Sequence, residues 1–360
     1  MNKIVISGYY GFDNLGDEAI LAAVITALRE KINNLQITVL SASPEITSRR
    51  YGVESISRTD LFKIVKAITG CDLFISGGGS LLQDVTGNTS IPYYLGLVFF
   101  AHLLGKKTMF YAQGVGPVSR TFNKKMIKWV GNRTDLITVR DSNSAQLLNK
   151  LDIDTNLIKE TVDSVFVFTP EDLQNFKADI ADNTSFKNTA AISVRPWGDN
   201  SYLKKVAAAG DYIYRKHGLK VYLLPLYLQQ DLTACQKVKE YMEEEAKLIE
   251  EFIPPRSMIN LIGNFDFFLG VRLHSLIFSA VNAVPFVGIS YDPKVDSLLS
   301  ELELESGLST ESCPLTLLQD NIDYFWHNRD LIKDKLIKKG REYRDKARKN
   351  AEMALNLLEE

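Results

Sequence analysis

A chain of 360 residues with 45% hydrophobic and 24% charged content has enough apolar side chains for a large core, and its length fits two domains of ordinary size. A formal net charge of −2 excludes the whole-molecule basic field that drives nucleic-acid binding, so any anion site must be local. Cys71, Cys235 and Cys313 stand far apart with no C-x-x-C pairing, which excludes a disulfide framework and a zinc knuckle and fits a reducing compartment.

In chain order, apolar runs rich in β-branched residues alternate with segments of helical period. The first predicted strands are KIVISG (3–8), QITVLSA (36–42), DLFISGG (72–78), KTMFYAQG (107–114) and LITVRD (136–141). Such alternation implies a parallel sheet covered on both faces, a Rossmann-like unit.

The first strand runs into GYYGFDNLGDEAIL (8–21), a turn leading to the first helix. Its glycines do not spell G-x-G-x-x-G, and Asp17 and Glu18 stand where a helix N-terminus would otherwise favour phosphate. These carboxylates can cap the helix and complement its dipole. Alternatively Asn14, Asp17 or Glu18 accepts hydrogen bonds from the hydroxyls of a neutral sugar. The third strand leads into SGGGSLLQD (76–84), read as a glycine turn before a helix, and the fourth into AQGVGP (112–117), a second glycine turn. Gly78 and Gly79 would let backbone N–H groups approach a ligand closely, with Gln83, Asp84 and Gln113 as the polar side chains presented there.

The segment 169–188 is polar and turn-rich, a predicted linker after a first domain over 1–168. Alternation resumes with TAAISVRPW (189–197), KVYLLPLY (220–227), FDFFLGVRLHS (265–275) and PFVGISYD (285–292), a second Rossmann-like domain over 189–318. The remainder, 319–360, is predicted to be a C-terminal amphipathic basic helix, in which Ile332, Leu336, Tyr343, Ala347, Ala351, Ala354 and Leu358 recur at helical spacing. Between Lys333 and Lys349 it carries nine basic residues against three acidic ones. That charge suits either a solvated face or contact with an anionic membrane surface or lipid-linked substrate. With no signal-peptide pattern and no apolar run near the roughly 20 residues of a spanning helix, the expected location is cytoplasmic, with this helix either solvated or in peripheral contact at the inner membrane face.

In open α/β sheets ligands bind beyond the carboxyl ends of the strands. Arg140 ends LITVR, Arg195 ends AAISVR, Arg272 and His274 end FFLGVRLH, and Lys294 follows PFVGISYD. Strand-end cations in a slightly acidic protein call for an anionic ligand, and two such units across a linker create a cleft, as in two-Rossmann glycosyltransferases. While the chain stays extended, Arg272 and His274 would share one face, a guanidinium fork beside a group that titrates near neutrality. His102, His217 and His327 read as structural or exposed. Asp17, Glu18, Asp84 and Asp163 come from separate turns without ligand spacing, so neither a metal nor a cofactor is expected.

Taken in order, GYYGFDNLGDEAIL, ISGGGSLLQD, YAQGVGP, VRDSNSAQLL and GVRLHSLIFSAVNAVPFVGISYDPKV resemble the polysaccharide pyruvyltransferases, above all the bacterial enzymes that build ketal-linked pyruvate on N-acetylmannosamine of secondary cell-wall polymers. The resemblance implies a glycosyltransferase-B-like fold and phosphoenolpyruvate as donor. It also implies a β-N-acetylmannosaminyl acceptor on a lipid-diphosphate-linked disaccharide, with a 4,6-ketal and phosphate as products. The family's Arg-x-His element matches Arg272 and His274, its downstream lysine matches Lys294, and Arg140 and Arg195 resemble its anion-binding arginines. The expected roles are Arg272 with Arg195 or Arg140 on the donor's anions, His274 as acid/base catalyst, and Lys294 on the departing phosphate or sharing proton transfer. The first domain would then read sugar hydroxyls and the second would hold the anion. A nucleotide-sugar-dependent glycosyltransferase and a non-catalytic glycan-binding protein fit the same fold pattern.

Overall fold

The computed structural model describes residues 2–84, 87, 89–178 and 186–359. The chain divides into two compact units, residues 1–167 with 343–360 and residues 168–342.

Unit 1 runs β1 (Asn2–Ser7), α1 (Leu15–Lys31), β2 (Leu35–Ser41), α2 (Pro44–Tyr51), β3 (Glu54–Ser57), α3 (Leu61–Gly70), β4 (Leu73–Ser76), β5 (Gly79–Leu82), α4 (Ser90–Leu103), β6 (Lys107–Val115), α5 (Thr121–Gly131), β7 (Leu136–Val139), α6 (Ser142–Lys150) and β8 (Ile158–Glu160). The strands lie in the order β3-β2-β1-β4-β6-β7-β8, with β5 pairing β6, and all pairings are parallel. One hydrophobic cluster joins Ile64 and Ile68 of α3, Leu95 of α4, Ile127 of α5 and Leu148 of α6 to Phe74 and Phe110. Those four helices therefore cover one face of the sheet, and right-handed crossovers place α1 and α2 on the other.

The glycine run departs from expectation. Gly77 and Gly78 join two strands, because Gly79 opens β5 rather than a helix. The expected AQGVGP turn is likewise still strand as far as Val115, with an irregular register against β5 and β7.

Unit 2 runs α7 (Pro170–Leu173), β9 (Thr189–Ser193), α8 (Tyr202–His217), β10 (Lys220–Leu223), α9 (Leu228–Tyr241), β11 (Ala246–Leu248), α10 (Pro255–Ile262), β12 (Phe267–Gly270), α11 (Leu273–Val281), β13 (Phe286–Gly288), α12 (Pro293–Glu301), α13 (Leu315–His327) and α14 (Arg329–Glu359). Its sheet is β11-β10-β9-β12-β13, again parallel throughout. The predicted linker begins with α7, closed by a capping box between Thr169 and Asp172; its residues 179–185 lie outside the described residues.

The tail is two helices, α13 and α14, parted at Asn328. Tyr343–Glu360 belongs to unit 1. There the Tyr343 ring meets Phe166 edge-on at 5.0 Å, the Thr161 hydroxyl lies 3.2 Å from Asn350 Oδ1, and Arg348 and Glu352 pair with Glu30 and Lys31. Among the described residues no helix is long and apolar enough to cross a membrane.

Candidate functional site

In unit 1 the turn after β1 is shaped around Tyr10, which is fully buried. A Cβ on Gly8 would come within 2.3 Å of the Tyr10 ring, and one on Gly77 within 2.3 Å of its hydroxyl. Gly8 and Gly77, the first of the glycine run, are there to admit a phenol, and no phosphate is needed to explain them. Burial first, then Asp17, Tyr94 and Glu18, push this phenol well above its usual range, so it stays neutral.

Asn14 caps α1, accepting from Gly16 N at 3.3 Å, and its amide donates to Asp17 Oδ2 at 2.6 Å. The other oxygen of Asp17 stands 2.9 Å from the Cβ position of Gly79, where φ is +89°. Only glycine leaves room there for both the carboxylate and this backbone conformation. Asn14 and Asp17 are half-buried. Glu18 is not a partner for sugar: it is buried, and it accepts from Gly11 N at 2.7 Å, Tyr51 Oη at 2.6 Å and Arg50 Nη1 at 3.2 Å.

Other expected ligand residues are also absorbed by the fold. Gln113 is fully buried and donates to the carbonyls of Gly79 and Gly114. A Cβ on Gly78 would meet Ile20 at 3.0 Å, so that glycine serves packing against α1. Gln83 follows β5 and is half-buried. Asp84 is buried, taking Ser119 N and Arg120 N at 2.9 Å and Asn123 Nδ2 at 3.1 Å. Arg140 is corrected most clearly. It is buried, with Nη1 on Asp163 at 3.0 Å, Nη2 on Ser80 Oγ at 2.9 Å and Nε 3.6 Å from Asp141. Burial works against its charge, but Asp163 and Asp141 more than offset this and raise its pKa.

A cluster missed in the sequence stands beside Tyr10. Arg58, just past β3, lies 4.6 Å from the Tyr93 ring centroid, 5.2 Å from Phe12 and 5.7 Å from Tyr94. Phe12 in turn stacks on Tyr9 at 4.1 Å. Buried polar atoms with no hydrogen-bond partner among the described residues gather here: Tyr10 Oη, Tyr94 Oη and Arg58 Nη1, with Ser7 Oγ and Ser76 Oγ at the neighbouring strand ends. Stacked aromatic faces beside unpaired hydroxyls suit the apolar and polar faces of a sugar ring.

In unit 2 the strand pairing sets the cations in line. Ser193 of β9 pairs Gly270 of β12, and Gly270 pairs Gly288 of β13. Arg195, Arg272 and Ser290 therefore each stand two residues past the end of a shared register, beyond strands spaced about 4.8 Å apart. The Arg195 guanidinium carbon is 4.9 Å from the Trp197 centroid and 4.5 Å from that of Tyr291, and its Nε has no hydrogen-bond partner among the described residues. Lys294 pairs with Asp292, the N-cap of α12, at 3.2 Å.

Arg272 and His274 do not share a strand face, because the strand stops at Gly270. Arg272 is the N-cap of α11 and His274 lies in its first turn. The N-cap offers no side-chain acceptor, so the positive end of this helix lacks the carboxylate that α12 has. Asp231, fully buried after β10, receives Arg272 Nε and Nη2 at 2.5 Å each and also Tyr227 N at 2.8 Å. The Arg272 fork is thus used to tie the start of α11 to the first turn of α9. Nearby Cys235 is pushed up to about 12 by burial and by Asp231, so it remains a thiol.

Sequence and structure comparisons identify the family and the fold. The family model for polysaccharide pyruvyl transferase matches residues 14–293. A curated relative, the amylovoran biosynthesis protein AmsJ of Erwinia amylovora, is 22% identical over 364 residues, covering 84% of this chain and 86% of that protein. Among solved structures, Anabaena HepE in complex with UDP and glucose superposes with a TM-score of 0.64 at 12% identity over 99% of both chains. The UDP-GlcNAc 2-epimerase of Neisseria meningitidis bound to UDP-GlcNAc gives 0.65 at 11% identity, again over 99% of both. These structures show the fold alone: α/β, two Rossmann-like units of the glycosyltransferase-B type, with a long C-terminal helix. With the family model spanning most of the sequence, the chain belongs to the polysaccharide pyruvyl transferase family and is a pyruvyltransferase enzyme.

Proposed function

We propose that this pyruvyltransferase takes its pyruvyl group from phosphoenolpyruvate and closes a 4,6-ketal on a β-linked N-acetylmannosamine of a lipid-linked cell-wall precursor. The observation that carries the reading is the row of strand ends in unit 2, where Arg195, Arg272 and the segment from Ser290 to Lys294 follow one register. A donor with a carboxylate and a phosphate needs at least two cations to orient it. Arg195, with an unpartnered Nε, takes one anion, and Lys294 with the uncapped start of α11 takes the other. Arg272 acts as a positioning residue through its pair with Asp231.

Protonation of donor C3 makes C2 electrophilic. The first sugar hydroxyl adds, the C2–O bond to phosphate breaks, and the second hydroxyl closes the ring. Two hydroxyl protons are released, one is matched by the proton gained at C3, and the other leaves with phosphate. His274, in the first turn of α11, is the acid/base candidate for these transfers. In unit 1, Asn14, Asp17 and the Tyr9–Phe12 platform receive the acceptor.

The test is incubation with phosphoenolpyruvate and a panel of β-linked amino-sugar acceptors, followed by mass spectrometry and phosphate assay. The expected outcome is a pyruvyl increment with matching phosphate. Arg195→Gln should raise KM for the donor tenfold or more, at the level of one lost charge-assisted bond of about 1.5–3 kcal/mol, and His274→Ala should lower kcat. Release of a nucleoside diphosphate from a nucleotide sugar, with no phosphate from phosphoenolpyruvate, would overturn the donor assignment.

A further inference from the structure

The helices α3, α4 and α5 cover one face of the unit 1 sheet, and we propose that their outer surface docks the protein onto a bilayer carrying anionic headgroups. On α5, Phe122, Lys125 and Trp129 fall on one stripe opposite the buried Ile127 and Val130, and Arg133 follows in the turn after the helix. Phe122 is 66% exposed and Trp129 45%. Arg133 lies 4.5 Å from the Trp129 centroid, and Phe99 of α4 lies 4.3 Å from it on another side. On α3, Leu61 is 74% and Phe62 80% exposed, with Lys63 and Lys66 beside them. The α4 sequence Ser90–Leu103 contains no Asp, Glu, Lys or Arg and ends on Leu103, 64% exposed.

One exposed leucine is ordinary. A surface of Phe, Trp and Leu spread over three neighbouring helices is not. Charge names the partner. Between Asp84 and Asp135 the sequence has no acidic residue and seven basic ones, in a protein whose net charge is −2. The acidic groups at the margins are already engaged, Asp60 by Lys63 at 3.4 Å and Asp152 by Lys128 at 2.9 Å. Basic side chains around Trp and Phe match the headgroup region of an anionic leaflet. A second copy meeting this surface symmetrically would bring basic against basic.

The N-terminal residues of α3 and α5, Leu61, Phe62 and Phe122, lie at the carboxyl edge of the strands, the edge that carries Asn14 and Asp17. Docking there would hold a lipid-anchored sugar at the mouth of the unit 1 site. The basic C-terminal helix is a weaker candidate, because its sequence, Arg329–Glu359, carries no Phe or Trp to insert beside its basic residues. The inference does not depend on the donor.

The experiment is flotation of the full chain with vesicles of phosphatidylcholine alone or mixed with phosphatidylglycerol. Binding is expected only to the mixed vesicles, and salt should reverse it. Lys66→Gln with Lys125→Gln should lower partitioning about 25-fold, at about fivefold per charge. Phe122→Ser with Trp129→Ser should lower it at least tenfold, whereas Lys338→Gln with Lys349→Gln should leave it unchanged. Failure of the native protein to bind the mixed vesicles would overturn the proposal. So would unchanged binding by the Lys66/Lys125 pair, which alters no core residue, or a dimer in light scattering that the Phe122/Trp129 pair dissolves.

Discussion

Asp231 and Arg272 form a two-bond fork, 2.5 Å for each bond, with the carboxylate fully buried. Removing one partner leaves the other as an uncompensated buried charge. Arg272→Gln should therefore lower unfolding stability by about 3–5 kcal/mol, read by urea denaturation, as well as reduce turnover. Full retention of stability would show that the fork does not hold the starts of α9 and α11 together.

Adjacent carboxylates in unit 1 should separate cleanly. Glu18 serves Gly11, Arg50 and Tyr51, so Glu18→Ala should destabilise by several kcal/mol, of the order of 3–5 for a broken buried ion pair. Asp17→Asn should melt close to the native protein and raise KM for the acceptor while leaving KM for the donor in place. Thermal melts and steady-state kinetics on the two variants check both halves.

The glycines around Tyr10 allow a rescue experiment. Gly77→Ala should cost about 1–3 kcal/mol by overpacking, because its Cβ meets the Tyr10 hydroxyl at 2.3 Å. Tyr10→Phe removes that atom and leaves the next contact at 3.2 Å, so the double variant should regain much of the loss. Gly8→Ala should not be rescued, since its Cβ meets the ring carbon itself at 2.3 Å. A double-mutant cycle in denaturant measures the difference.

Burial alone would raise the Asp84 carboxyl, but the N–H groups of Arg120 and Ser119, with Asn123 and the Ser119 hydroxyl, outweigh it and hold the group at about 2. That lies below the roughly 3.9 of an unfolded aspartate, so the unfolded chain binds the proton first. The stabilisation is complete above about pH 4 and is lost as pH falls toward the folded value. Denaturation midpoints should drop across that window in the native protein and less steeply in Asp84→Asn.

How far the sequence could be read depended on whether a residue's partner was near or far in the chain. Strands β1, β2, β4, β6 and β7 were legible because a sheet covered on both faces needs long apolar runs. The edge strands β3, β8 and β11 carry ESIS, IKE and AKL, with no such run, and were missed. Missing β3 concealed Arg58, which follows it. The glycine run was read as a turn into a helix, because nothing local indicates that Gly79 and Leu82 pair with Gln113 and Val115. Arg140 had the right residue type at the right place, but Asp163 and Ser80, 23 and 60 residues away, decided its role. Asp231 was invisible for the same reason, being 41 residues from Arg272.

The last helical turns return to the first unit, where Tyr343 covers Phe166 and Asn350 meets Thr161. During synthesis, the amino-terminal half leaves the ribosome lacking this cover and receives it only after everything from Phe168 to Glu342 has been translated. A nascent chain stalled before Tyr343 would leave Phe166 without its aromatic cover and Thr161 without its Asn350 partner, so this half lacks part of its packing until its neighbour has been made, unlike amino-terminal domains that fold first.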